Sequence, residues 1–388
     1  MKSLLFICIV LWTFSLHSQN ILISEDFEGN NLPNGWTIST NASDGGWSIG
    51  TAQNIESQWW EIANHGKIIG TNDDDCDCDK SMDYLILPTL DFSNSTAAAL
   101  QFENYYDGFN KNSKTNSFSM AKSYVSGLLG KAISDGYIKN LDQPVGEFFP
   151  EFSEGLAAQM TVGDLSSMAS GTNWVEEYYS PLSITTRAYF DDDLEKVILG
   201  LKVVNDPGKS YKYSSGDTQL LAMVLEKATG KKLYDYLSES FWKPLGSENS
   251  TLWQVDSEDH DLVKAYCCIA SNAKDFARFG KLYKDHGKWN GKQLLDSTFI
   301  AKSLTPRFKE SPQYGYGWWL QKRDDKSFFM MRGHLGQYVI VEPTDNIIIV
   351  RLGHEKSPDA DSQIFSDDIS VYIDEAYKML SHAPKTQP

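Results

Sequence analysis

Cysteine, positive charge and long apolar runs are all scarce in this chain of 388 residues. Only five cysteines occur, and 35 lysines and arginines stand against 52 aspartates and glutamates, for a net charge of −17. An acidic surface of this size repels phosphate backbones, so we expect no nucleic-acid partner. The cysteine spacings match neither a zinc ribbon nor a C-x-x-C pair, which argues against both kinds of site.

The only long apolar run stands at the start of the chain. Residues 1–18, MKSLLFICIVLWTFSLHS, begin with a lysine, continue with apolar residues and end at a small residue. This pattern predicts a secretory signal peptide, because the run is short for a membrane span. No later stretch is apolar enough to cross a bilayer, so we expect an exported protein in the periplasm, secreted or at the cell surface.

Four cysteines follow the leader as two close pairs. Cys76 and Cys78 lie in DDDCDCDK and could form a disulfide in an oxidising compartment. Cys267 and Cys268 are adjacent, and we interpret them as a small buried apolar step rather than a redox device. The aspartates around Cys76 could bind Ca²⁺, but we favour a solvated charged loop and predict no metal or cofactor.

The character of the chain changes near residue 99. Residues 19–98 are rich in Asn, Asp, Ser and Gly and carry the short runs GWTIST, GWSIG and DYLILPTLDF. Short alternating runs between turn residues predict an antiparallel β module. Within it, we expect Trp59 and Trp60 to serve core packing rather than sugar stacking.

Helical periodicity dominates the remainder, residues 99–384. The predicted helices begin at Ser119 (ending at Gly136), at Thr161 with a capping signal, at Asp217 (to Ala228), at Leu233 (to Trp242), in DFARFGKLYKDHG and near Asp367 (to Leu380). QYVIVEPTDNIIIVRLG predicts a strand–turn–strand. Together these elements predict an α/β (α+β) fold with an antiparallel sheet flanked by helices.

Three serine patterns compete for a catalytic role. GWSIG satisfies G-x-S-x-G, but it lies in the polar β module with no helix after it, so we interpret it as a strand. Ser271 and Lys274 form S-x-x-K, where Ser271 fits a helix N-cap. Ser119 and Lys122 form the third pattern, S-x-x-K on one face of a helical turn.

Ser119 and Lys122 have the chemistry that an activated nucleophile needs. A serine hydroxyl is a weak nucleophile until a base takes its proton. A partly desolvated lysine can have a lowered pKa and act as that base. Backbone N–H groups at a helix start can stabilise a developing oxyanion.

Two later segments extend this pattern. YKYSSG places Tyr213 and Ser215 before a helix, and RGHLGQYVIV places His334 and Gly336 before a strand. The ordered set resembles the serine β-lactamase and penicillin-recognising family, in particular its class C-type esterases and 6-aminohexanoate oligomer hydrolases. The resemblance covers about residues 99–380 and implies a β-lactamase-like fold with a helical subdomain.

The resemblance also implies roles for individual residues. Ser119 would be the acylated nucleophile, and Lys122 and Tyr213 would share general acid–base duty, with the first proton acceptor left open. The backbone N–H groups of Ser119 and Gln337 would form the oxyanion hole. His334 and Gly336 would line the strand along which the substrate lies. Ser215 stands where many relatives have asparagine, and it would hydrogen-bond the substrate or Lys122 less extensively. Trp318, Trp319, Tyr178 and Tyr179 are further candidates for walls or contacts.

His334 replaces the lysine of the family's K-T-G motif, and a mostly neutral imidazole grips a carboxylate less well. We therefore expect ester or small amide hydrolysis, with a DD-peptidase or β-lactamase as the alternative within the family. Residues 19–98 resemble part of the jelly-roll module of secreted adhesins, which implies contact with a glycan or surface. A surface-binding protein with an inactive hydrolase-like domain is the alternative from another class.

Overall fold

The computed structural model describes residues 23–55, 66–71, 83–88, 114–178, 180, 182–353, 356 and 364–382. The chain divides into two compact units, Met1–Asn110 with Pro384–Pro388, and Lys111–Ala383. The sequence had placed this boundary between residues 98 and 99. The predicted signal peptide, both early cysteines, the aspartates beside them, and Trp59 and Trp60 lie outside the described residues.

In the described residues of the first unit there are two short antiparallel strand pairs. Strand β1 (Thr37–Ser39) pairs with β4 (Tyr84–Ile86), and β2 (Ser48–Gly50) pairs with β3 (Ile68–Gly70). A short helix, α1 (Ala52–Ile55), follows β2 and packs Ala52 and Ile55 beside Ile68. Each of the three alternating runs thus contains a short strand within its described residues, GWSIG included, whereas the jelly roll remains a prediction.

The second unit carries most of the secondary structure. Its helices are α2 (Ala121–Ser134), α3 (Val162–Ser166), α4 (Ile184–Phe190), α5 (Leu194–Leu199), α6 (Ser215–Thr229), α7 (Leu233–Leu237), α8 (Ala273–Lys284), α9 (Ser297–Ser303) and α10 (Asp367–His382). Its strands are β5 (Thr115–Asn116), β6 (Leu252–Trp253), β7 (Ile269–Ser271), β8 (Lys288–Trp289), β9 (Lys292–Gln293), β10 (Trp319–Arg323), β11 (Lys326–Arg332), β12 (Gln337–Glu342) and β13 (Ile347–Leu352). Within the described ranges, no helix is both long and apolar enough to span a bilayer.

The largest sheet is antiparallel, in the order β10-β11-β12-β13. Alternate residues of its strands point to opposite faces, so each face builds a separate core. Phe329 and Val339 join the main core, which also contains α2, α6 and α8. Met330 and Ile340 pack instead against α10 in a second cluster. The predicted strand–turn–strand and terminal helix are confirmed, as is the α/β arrangement of an antiparallel sheet flanked by helices.

Local signals set several helix ends. The Thr161 side chain accepts a hydrogen bond from the Asp164 amide, and the Asp164 carboxylate accepts one from the Thr161 amide, so the predicted capping box is present. Helix α6 ends at Gly230, whose φ of +68° is a conformation that favours glycine. The predicted helix Leu233–Trp242 is α-helical only to Leu237 and continues as one π turn.

The start of α6 is built around a buried carboxyl. Ser214 caps the helix by accepting a hydrogen bond from the Asp217 amide. The Asp217 carboxyl in turn accepts bonds from the Ser170 hydroxyl at 2.6 Å and the Ser170 amide at 3.2 Å. Burial raises the pKa of Asp217 to about 7, although the bonds from Ser170 and Ser214 oppose this rise.

We expect Asp217 to make the protein less stable as the pH rises through the weakly acidic range. The folded protein keeps this proton up to about pH 7, whereas an ordinary aspartate releases it near 3.8. The folded state therefore binds more protons in this window, and the contribution to stability falls by about 1.4 kcal/mol per pH unit. Across this window, the unfolding free energy of wild type should fall with rising pH relative to that of Asp217→Asn. A difference independent of pH would contradict the assignment.

Candidate active site

Ser119 lies on a tight turn at the start of α2. The turn is a 3-10 helix over Phe118–Met120, and the α-helix begins only at Ala121, so the expected α-helical start at Ser119 is two residues early. Phe118 has a φ of 44°, which L residues rarely adopt. Ser117 is fixed to β7, since its amide donates to the Ile269 carbonyl at 2.7 Å and its hydroxyl accepts from the Ile269 amide at 3.1 Å.

Lys122 is buried one helical turn after Ser119. Its Nζ donates hydrogen bonds to Ser119 Oγ and to the Tyr266 carbonyl, both at 2.8 Å. Burial lowers the pKa of Lys122 to about 8, although the charge of Glu176 opposes the shift. A substantial share of Lys122 is therefore neutral in mildly alkaline solution and can accept a proton from the serine.

Tyr213 completes the group from a third part of the chain. Its side chain lies near that of Ser119. Lys122 Nζ stands 5.1 Å from the centre of its ring. Burial raises the pKa of Tyr213, the charge of Glu176 adds to the rise, and the phenol stays neutral at ordinary pH. The structure thus brings an alcohol, an amine and a phenol together from distant segments.

The turn between β11 and β12 lies beside the nucleophile. A Cβ placed on Gly333 would come 2.6 Å from the Ser117 carbonyl oxygen, so the two backbones nearly touch. Gly336 has a φ of +84°, a conformation that favours glycine. The buried Gln337 side chain accepts from the Leu335 amide at 3.1 Å and donates to the Gly353 carbonyl. This side chain fixes the turn, and the oxyanion role of the Gln337 amide stays a prediction.

Ser215 is buried and bonded to a carboxylate. Its hydroxyl donates to Glu176 Oε1 at 2.5 Å, and its amide donates to Glu176 Oε2 at 2.8 Å. These two bonds join Ser215 to the loop that carries Glu176 and Tyr178. The Tyr178 ring packs on the His334 ring with centroids 4.4 Å apart, and its hydroxyl donates to Glu176 at 2.6 Å. Tyr179, the other predicted contact, lies outside the described residues.

Glu176 is the site residue that sequence reasoning missed. It stands in NWVEEYY between Val175 and a second glutamate, so the pattern gave no reason to prefer it to Glu177. The sequence also did not show which of the adjacent Trp318 and Trp319 lines the site. The Trp319 ring lies 5.5 Å from the Tyr213 ring, as expected of a site wall. Trp318 is fully buried and packs on Phe279, so its predicted place in the wall is wrong.

The competing serine patterns occupy ordinary structural positions. Ser271 is a buried residue at the end of β7, and Lys274 is exposed on α8. The N-cap of α8 is Asn272, whose side chain accepts from the Asp275 amide at 2.9 Å. The expected N-cap at Ser271 is therefore wrong by one residue, because the helix begins at Ala273 and Ser271 still belongs to β7.

Cys267 and Cys268 follow the carbonyl that holds Lys122. Both are buried, as predicted, but they are joined by a disulfide that the sequence analysis did not foresee. Cys268 has a φ of +74°. The Cys267 carbonyl accepts a hydrogen bond from the Trp253 indole at 2.9 Å, which anchors this segment to β6.

Several proteins with similar sequences are named as hydrolases. The family model described as Beta-lactamase matches residues 99–367. A 6-aminohexanoate-dimer hydrolase from Paenarthrobacter ureafaciens is 24% identical over 279 residues, 66% of this chain and 70% of that protein. A candidate D-alanyl-D-alanine carboxypeptidase of Escherichia coli (strain K12) is 22% identical over 307 residues, 63% of this chain and 70% of that protein.

The fold is also found among solved structures. A candidate 6-aminohexanoate-dimer hydrolase from Bacillus anthracis has a TM-score of 0.62 at 21% identity, covering 74% of this chain and 77% of that one. At this identity the likeness shows the shared fold. Because the family model spans well over half of the sequence, this chain belongs to the beta-lactamase family and is a serine hydrolase.

Proposed function

We propose that this protein cleaves esters or small amides through an acyl-enzyme on Ser119. The observation that carries the proposal is the 2.8 Å bond between Ser119 Oγ and a buried lysine with a pKa of about 8. A lysine that is half neutral near this pH can take the hydroxyl proton as the oxygen attacks a carbonyl carbon. The neighbouring Tyr213 supports a proton relay, since a neutral phenol can both donate and accept.

The proposed reaction has two stages. Ser119 Oγ bonds to the carbonyl carbon, and its proton passes to Lys122, directly or through Tyr213. The tetrahedral intermediate expels the alcohol or amine, which takes a proton back through the same pair, and leaves an ester on Ser119. Water then attacks this ester and releases the acid. Amides of Ser119 and Gln337 are the proposed donors to the oxyanion.

The choice of substrate class depends on the turn at His334. An imidazole in place of the K-T-G lysine weakens the attraction for a substrate carboxylate, which favours uncharged esters and small amides. The name of the Paenarthrobacter relative, a 6-aminohexanoate-dimer hydrolase, supports the cleavage of small amides. The name of the Escherichia coli relative favours the runner-up, a DD-peptidase.

We also propose that the protein works outside the cytoplasm. The leader-like residues 1–18 support export, and residues 19–98 would act as a partial jelly-roll module that contacts a glycan or surface. The site needs no metal or cofactor in this scheme, because the lysine and tyrosine supply the proton transfers. The alternative, an inactive hydrolase-like domain on an adhesin, predicts no turnover of any acyl substrate.

Purified protein tests the proposal with two classes of acyl donor, p-nitrophenyl esters and a penicillin. We expect p-nitrophenyl acetate and butyrate to be turned over repeatedly, and we expect no lasting adduct with a labelled penicillin. A stable penicillin adduct together with poor ester turnover would instead favour the DD-peptidase. Folded protein that hydrolyses neither donor would count against both enzymes and favour the adhesin.

The rate of acylation should rise with pH as Lys122 loses its proton. Only the neutral amine can accept the serine proton, so kcat/KM should be level above about pH 8 and fall below it. The slope on the acidic side should approach tenfold per pH unit, as for a single essential base. A pH profile with p-nitrophenyl acetate, corrected for spontaneous hydrolysis, checks this. A rate that is flat from pH 6 to pH 9, or that falls as the pH rises through about 8, would contradict a lysine base.

A further inference from the structure

Glu176 accepts four hydrogen bonds at the edge of the site. Its Oε1 accepts from the Ser215 hydroxyl at 2.5 Å and from the Tyr178 hydroxyl at 2.6 Å. Its Oε2 accepts from the Trp174 indole at 2.7 Å and from the Ser215 amide at 2.8 Å. A carboxylate offers about four acceptor positions, so this one is fully occupied by the protein.

These donors come from two separate segments. Trp174 and Tyr178 belong to the loop before α4, and Ser215 begins α6, two residues after Tyr213. Tyr178 adds a third segment, because its ring packs on His334 in the turn before β12. One carboxylate therefore joins the loop to the segment that carries the phenol and, through Tyr178, to the proposed substrate edge.

We propose that Glu176 is a positioning residue that fixes Tyr213 and Tyr178 around Ser119 and places a negative charge beside Lys122. The proposal rests on the proposed function, since it assigns Glu176 a part in that reaction. With its acceptor positions filled, Glu176 does not bind substrate. It acts on the reaction through the geometry of its neighbours and through its charge.

The negative charge of Glu176 changes the pKa of Lys122 in a known direction. It raises the pKa of Lys122 against the larger, opposite effect of burial, and it also raises the pKa of Tyr213. The rings of Tyr213 and Tyr266 face Lys122 Nζ from two other segments at 5.1 and 5.8 Å. Tyr178 and Tyr211 are also held neutral beside Glu176, by burial first and then by its charge. Arg332 acts in the opposite direction on Tyr213 and Tyr211.

Two substitutions separate the geometric part of this role from the electrostatic part. Glu176→Gln keeps the length of the side chain, removes its charge and presents an amide N–H₂ to groups that are themselves donors. Glu176→Asp keeps the charge and withdraws it from its four donors. Glu177→Gln is the matched control, because it removes one negative charge from the same loop. The Glu177 amide donates to the Thr185 hydroxyl, and the Glu177 carbonyl accepts from the Ser183 hydroxyl. Both are backbone contacts, so Glu177→Gln keeps them.

The pH dependence of kcat/KM for p-nitrophenyl acetate is the measurement. We expect Glu176→Gln to lower the plateau by about tenfold to a hundredfold, as when hydrogen bonds to a charged group are lost. Its acidic limb should move to lower pH, because Lys122 loses a neighbouring negative charge. Glu176→Asp should lower the kcat/KM plateau and leave the acidic limb at its wild-type pH. Glu177→Gln should match wild type in plateau and in limb.

Several results would overturn the inference. The first is a Glu176→Gln variant with the same activity and pH profile as Glu177→Gln. The second is a Glu176→Gln variant that loses activity while the acidic limb of its pH profile stays in place. If Glu176→Gln does not fold, Glu176→Asp still decides, and a wild-type plateau in that variant overturns the positioning role. A wild-type protein without esterase activity would overturn the proposed function itself, a result that the variants cannot mimic.

Discussion

Ser119→Ala should lower kcat/KM for p-nitrophenyl esters by at least about 10⁴-fold, since removal of a nucleophile costs a hydrolase most of its rate enhancement. Backbone donors and binding would leave only a small residual rate. The fold should persist, because Lys122 keeps its bond to the Tyr266 carbonyl when the serine hydroxyl is lost. Steady-state kinetics on the purified variant measure the loss, and circular dichroism and thermal unfolding confirm its structure.

Ser134 supplies the matched control for this change. It is an exposed serine in the last turn of α2, the helix that follows the Ser119 turn, and its hydroxyl donates to the Gly130 carbonyl at 3.0 Å. Ser134→Ala makes the same chemical change at the other end of this helix and should leave the kinetics unchanged. If Ser119→Ala kept more than about a hundredth of the wild-type rate, another residue would be the nucleophile.

Lys122→Met should lower kcat/KM by about 10²- to 10⁴-fold, the usual loss when a positioned general base is removed. Methionine fills much of the space of the lysine stem and carries no charge into the core. Only 3% of Lys122 is exposed, so the substitution also removes the cost of burying an ammonium group. We therefore expect a melting temperature at or above that of wild type together with a nearly inactive enzyme.

Lys264 allows the effect of a buried charge to be separated from catalysis. It is also 3% exposed, and its Nζ stands 5.0 Å from the centre of the Tyr189 ring. Burial lowers its pKa as well. Lys264→Met should change stability in the same direction as Lys122→Met and leave kcat/KM within about threefold of wild type. Equal activity losses in the two variants would mean that Lys122 acts through structure alone.

Several helices and one strand pair of the second unit could be predicted from local patterns, whereas α4, α5, α9 and the strands β10 and β11 were not. The apolar periodicity after Ser119, the capping pair Thr161 and Asp164, and Gly230 each mark a helix or its end, and all three follow from short-range chemistry. The strand–turn–strand around Pro343 is likewise a local signal. Helix boundaries were less exact at Ser119, where the α-helix is preceded by a 3-10 turn.

The site could be predicted only in part, because its geometry depends on long-range packing. Ser119 and Lys122 share one turn, so their proximity follows from helical spacing. The place of Tyr213 came from resemblance to a family, since no periodic pattern joins it to α2. Glu176 was not distinguishable from Glu177, because only the tertiary structure brings the Ser215 amide and hydroxyl to one of the two carboxylates.

Covalent labelling with a fluorophosphonate, followed by peptide mass spectrometry, tests the central claim most directly. The reagent reacts with activated serines, and the site of its adduct identifies the nucleophile without any assumption about the natural substrate. We predict one adduct per molecule of wild type, on the peptide that contains Ser119, and none on Ser119→Ala. An adduct on another residue, or equal labelling of the Ser119→Ala variant, would contradict this account.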